Sequence, residues 1–153
     1  MMYLRKILVT TDLSEYSLAS MEYASSFGIL YSSRITLLHV VDHREGHHVR
    51  TDGDARTALA QFVEKHISPD ISLTPVVRFG DPADEIRLFA QEEGFDLIVM
   101  ATHGRTGLRH ILMGSVVEKV VRHSPVPVLT VKPHPLRESI LRNEDIEHEL
   151  HIR

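Results

Sequence analysis

Apolar residues in this chain fall into short β-branched runs and longer stretches with helical spacing. Lys6–Thr10 (KILVT) predicts a buried strand ending in the turn Thr11-Asp12-Leu13-Ser14. Leu18, Met21, Ala24 and Phe27 then recur at helical spacing, predicting a helix from an N-cap at Ser14 to about Leu30. Arg34–Val41 (RITLLHVV) predicts a second strand, polar Asp42–Gly53 a loop, and Asp54–Ile67 a helix carrying Ala58, Phe62 and Val63. Ile71–Phe79 predicts a third strand. Asp81-Pro82 is a helix start, Asp as N-cap and Pro at the first helical position. That helix carries Ile86, Phe89 and Ala90 and stops near Gly94. A fourth strand at Leu97–Ala101, a helix from about Ser115 to Arg122 and a last strand at Val126–Val131 complete the series.

Strands alternating with helices in this way predict an α/β domain, a five-stranded parallel sheet with helices on both faces. The apolar strand runs fit burial from both sides. In such open sheets a ligand sits beyond the carboxyl ends of the strands, where the strand order reverses. With strands one and four as neighbours, in the order 3-2-1-4-5, the turn Thr10–Ser14 would face the loop Thr102–Ser115 across one crevice. Pattern alone does not fix that order.

The 153 residues are most simply one domain. There is no Cys, which excludes disulfides and thiolate chemistry. No apolar run reaches the roughly 18–20 residues of a membrane span. The N-terminus lacks a signal-peptide pattern, so a cytoplasmic protein is expected. A net charge of -4 argues against general nucleic-acid binding. Between Gly104 and His123, however, Arg105, Arg109, Lys119 and Arg122 face Glu118 alone. This is either a solvated helix face or a place where Arg105 or Arg109 meets an anionic ligand.

The candidate chemistry lies in DLIVMATHGRTGLRHILMGSVVEKVVRHSPVPVLTVK, Asp96–Lys132. A Gly-rich loop, Thr102–Gly107, and the pair Gly114-Ser115 at a helix mouth offer backbone N–H groups to phosphate. Ser115 adds a hydroxyl at the helix start, where the dipole favours an anion. Asp12 either contacts a ligand or caps its own turn. Gly104 and Gly107 either approach a ligand or merely permit a tight loop. Among the histidines, His39 reads as a structural residue on an apolar strand. His103 could reach a phosphate, and His43, His47 and His48 lack the fixed spacing of a metal site. There is no P-loop motif, no G-x-G-x-x-G and no assembled Ser-His-Asp arrangement, so binding is favoured over turnover.

These motifs together resemble the universal stress protein family. The resemblance spans roughly Tyr3 to Lys132 and rests on KILVTTDLSEYS, LLHVVD, GDPADEI and the Asp96–Lys132 stretch. It implies a Rossmann-like, adenine nucleotide alpha hydrolase-like fold with the strand order 3-2-1-4-5. One branch of the family binds ATP through Gly-x-x-Gly, nine residues, then Gly-Ser/Thr. Here Gly104, the nine residues Arg105–Met113 and Gly114-Ser115 match, while Ala101 stands in the place of the first Gly. The resemblance implies Asp12 and the Val40 backbone at the adenosine end, and Ala101, Gly104, Gly114, Ser115 and Val116 around ribose and phosphates. With Thr10, Met100 and Arg105, these form the candidate site for ATP, with Mg²⁺, or a related adenine nucleotide. The expected protein is a regulatory homodimer joined through its uncovered last strand, Val126–Val131. Residues 1–132 would form the domain and 133–153 a tail, either a short helix packing on a partner or partly disordered, with the helix favoured. Two alternatives stay open, a non-nucleotide dimeric interaction module and a slow ATPase or autophosphorylating protein with Ser115 or a nearby Thr as acceptor.

Overall fold

The computed structural model describes residues 3–42, 44, 51–103 and 113–133. Five parallel strands, β1 (Lys6–Thr11), β2 (Arg34–Val41), β3 (Leu73–Phe79), β4 (Leu97–Ala101) and β5 (Val128–Val131), form one sheet. Their order is β3-β2-β1-β4-β5, as expected. Helices α1 (Leu18–Tyr31), α2 (Asp52–His66), α3 (Pro82–Glu92) and α4 (Ser115–His123) join them. The tail expected over 133–153 lies outside the described residues beyond Pro133.

Strand alternation sorts the core into two layers. Ile7, Val9, Leu37 and Val99 pack with Met21 and Ala24 of α1 and with Leu59 and Phe62 of α2. Leu8, Leu38, Ile98 and Met100 pack with Ile86 and Ala90 of α3 and with Val117 and Val120 of α4. Both faces are thereby covered, which is why these strands read as continuous apolar runs. At the far end of the sheet, Asp96 accepts hydrogen bonds from the backbone N–H groups of Arg5 (2.7 Å) and Lys6 (2.9 Å), tying the start of β4 to β1.

Several boundaries differ from the sequence expectation, each for a local reason. Ser14 does not cap α1. It precedes a 3₁₀ turn, Glu15–Ser17, and α1 starts at Leu18. The loop expected over Asp42–Gly53 ends earlier, because Thr51 opens α2 with a reciprocal capping box to Asp54. β3 starts at Leu73, not Ile71. β5 starts at Val128, not Val126, after two prolines that cannot donate to a ladder. The α3 expectation holds: Asp81 accepts from the Asp84 N–H, Pro82 stands at the first turn, and Gly94 takes φ 64 just past the end.

Candidate functional site

β1 and β4 are central neighbours, and their pairing stops before either strand does. It runs from Ile7↔Leu97 to Val9↔Val99. β1 continues against β2 to Thr11↔His39, and β4 continues against β5 to Ala101↔Val131. The two pairs therefore part beyond Val9 and Val99, opening a crevice at the carboxyl ends where the strand order reverses.

Thr10, Asp12, Met100 and Ala101 stand at the mouth of this crevice. On the α3/α4 face, half-buried Val40 and Val116 pack against the cluster that holds buried Met100, and Met113 joins them. Three of the sequence-predicted residues, far apart in the chain, thus belong to one apolar cluster. Met113 was not singled out from the sequence, since a Met before a Gly-Ser pair carries no signal of its own. Ala101 is buried, 9% exposed.

The start of α4 is held to the end of β4, with the Gly114 N–H donating to the Thr102 carbonyl at 2.8 Å. Gly114 is its N-cap, and among the described residues no side chain caps the helix. α2 and α3 by contrast are capped by Thr51 and Asp81. The first-turn N–H groups of α4 have no intrahelical partner and carry the positive end of the helix dipole, and Ser115 beside them is exposed. Gly114 itself has ordinary angles (φ -67, ψ 156), and among the described residues a Cβ there would meet only the Thr102 carbonyl, at 3.4 Å. Neither backbone strain nor packing among the described residues requires glycine at this point.

The turn after β1 is built from short-range polar bonds. Asp12 Oδ1 accepts from the Ser14 N–H at 3.0 Å and from the Ser14 hydroxyl at 2.5 Å. This is the turn-capping role weighed for Asp12, and it also fixes the carboxylate in place. Leu13 takes a left-handed φ of 65, with its N–H donating to Thr11 Oγ1 at 3.0 Å. Such a conformation is uncommon for a γ-branched residue. His39 is buried and bonded through Nδ1 to the Thr11 carbonyl, a satisfied structural histidine as expected.

A charged cluster borders the α3/α4 side. The Arg44 guanidinium bridges Asp42 (2.8 Å) and Asp81 (2.7 Å), and Lys119 of α4 lies 4.0 Å from Asp81. Asp81 is held below the usual carboxylate range, chiefly by the Asp84 N–H, against its burial and with help from Arg44 and Lys119. Gly104, Arg105, Gly107, His43, His47 and His48 lie outside the described residues. His103 is half-buried, with its Nδ1 2.9 Å from Thr102 Oγ1.

The family model described as the universal stress protein family matches residues 3–132. The chain belongs to the universal stress protein family. It is similar to the universal stress protein MJ0577 of Methanocaldococcus jannaschii, 30% identical over 84% of this chain and 94% of that one. A solved structure of MJ0577 superposes with a TM-score of 0.74 at 32% identity, covering 87% of this chain and 99% of that chain. More distant universal stress proteins share the fold. One, solved in complex with cAMP, gives a TM-score of 0.65 at 20% identity over 85% of this chain and 98% of its own length. Another, from Archaeoglobus fulgidus in complex with dAMP, gives 0.59 at 21% identity over 86% of this chain and 100% of its own.

Proposed function

We propose that this universal stress protein binds an adenine nucleotide, ATP with Mg²⁺ foremost, in the crevice between β1 and β4. In this reading it acts in the cytoplasm as a regulatory homodimer. The observation that carries the reading is the parting of β1 from β4 beside a helix start that no described side chain caps. One side of such a gap suits a sugar and base, the other a phosphate chain. Asp12, oriented by Ser14, accepts from ribose or adenine, and Thr10 lies beside it on β1. Val40 and Met100 give the base an apolar wall, with the Val40 main chain at its edge. By the family pattern Ala101, Gly104, Gly114, Ser115 and Val116 would lie around the ribose and phosphates, and Arg105 would meet their charge. The α4 amides and the Ser115 hydroxyl are a donor set that fits phosphate oxygens. Mg²⁺ enters with the nucleotide and neutralises phosphate charge.

Homodimerisation through β5 is supported by the contrast between the two sheet edges. Edge strand β3 carries Pro75 in its middle, a device that blunts an edge, whereas β5 has no Pro between Val128 and Val131. Binding would act by differing affinity for two conformations or assembly states. A non-nucleotide interaction module is the second reading, favoured by the use of Asp12 Oδ1 inside its own turn and by the Ala101 methyl. Calorimetric titration with ATP and Mg²⁺ separates the two. Saturable heat is expected; none at millimolar ATP leaves only the interaction module.

A further inference from the structure

The turn after β1 carries a run of short-range hydrogen bonds. The Ser17 hydroxyl donates to the Ser14 carbonyl at 2.7 Å, so its proton is committed. In the 2.7 Å Thr11–Ser17 contact the donor is therefore the Thr11 hydroxyl. Thr11 Oγ1 meanwhile accepts from the Leu13 N–H, and Asp12 accepts from Ser14. This chain of hydroxyls holds Leu13 in its left-handed conformation and aims the Asp12 carboxylate. Hydrogen bonds linked in this way polarise one another, so a further side-chain bond at the Thr11 end acts on the whole turn.

His39 supplies a tie from the neighbouring strand. It is the register partner of Thr11, is 5% exposed, and its Nδ1 lies 3.0 Å from the Thr11 carbonyl. A carbonyl can only accept, so Nδ1 carries the hydrogen and the tautomer is set. Thr11 immediately precedes Asp12, and His39 immediately precedes Val40. The ring thus joins the two strand ends that hold the two residues assigned to the adenosine end of the ligand.

We propose that His39 is a positioning residue, fixing the Asp12 turn relative to the Val40 backbone and so setting affinity for the nucleoside end of an adenine nucleotide. This rests on the nucleotide reading above. It is tested with His39→Leu, which removes the donor, and His39→Asn, whose amide N–H stands near the place of Nδ1–H. In the free protein, His39→Leu should speed amide exchange at Leu13 and Ser14 while Ile98 and Val99 stay protected, and His39→Asn should restore protection. In titrations with ATP, His39→Leu should weaken binding about tenfold, the scale of one lost hydrogen bond. Combined with Asp12→Ala it should add nothing to the loss from Asp12→Ala alone, because one acts through the other. Additive losses, or wild-type affinity in His39→Leu, would overturn the proposal. So would uniform loss of protection that His39→Asn fails to recover. If the unaltered protein binds no ATP, the nucleotide reading fails by itself. Unchanged exchange at Leu13 and Ser14 would then sink the positioning role independently.

Discussion

The conformation of Gly114 does not itself require glycine. Its φ of -67 suits any residue, and a Cβ would find ordinary contact distance to the Thr102 carbonyl. Glycine is itself a favoured N-cap, and the close approach of a phosphate is the further reason that the proposed site gives for it. Gly114→Val should therefore keep the fold, at a stability cost of about 1 kcal/mol from a poorer N-cap. Its ATP affinity should fall below detection in the same calorimetric titration, and retained affinity would put the phosphate cradle elsewhere. Asp12 shows why residue types alone could not decide between ligand contact and capping. Its carboxylate has more than one acceptor site, and the turn's use of Oδ1 shows capping without determining ligand contact.

At the scale of elements, local chemistry was legible wherever one residue type has one dominant use. Asp81-Pro82 and Gly94 marked the ends of α3 because an Asp cap, a first-turn Pro and a left-handed Gly each have few other reasons to be there. Thr51 was missed, since its capping box with Asp54 lies in a polar stretch that reads as loop until the reciprocal bonds are seen. Ser14 misled in the opposite sense: its hydroxyl serves Asp12, and a 3₁₀ turn intervenes. Asp81 gives the element-scale prediction. Asp81→Ala removes the cap of α3 and should cost about 1 kcal/mol in chemical denaturation at neutral pH. Because the folded state holds this carboxylate below its ordinary value of 3.8, its stabilising share is fully present above that value. It disappears as pH falls through the lower folded value. The gap between wild type and Asp81→Ala should therefore narrow in acid; a gap that widens there would contradict the assignment.

For the whole molecule, alternation of strands and helices fixed the class, while the strand order had to be supplied by resemblance. The parting of β1 from β4 had no signature in the sequence. It is a property of two ladders ending at different heights, and no single residue announces it. The assembly prediction also depends on geometry. β4 draws on β5 through the Pro127 and Val131 carbonyls, which turns the Thr130 backbone toward the open edge. Thr130→Pro should leave β4 pairing intact and yield a folded monomer by light scattering. A variant that remains dimeric would remove β5 from the interface. The central claim, that an adenine nucleotide occupies the β1–β4 crevice, is met most directly by following backbone amide resonances during titration with ATP and Mg²⁺. The account predicts saturating shifts centred on Leu13, Ser14, Val40, Ala101, Ser115 and Val116, with β3 and the outer face of α2 unmoved. Shifts that leave these residues untouched, or that never saturate, would contradict it.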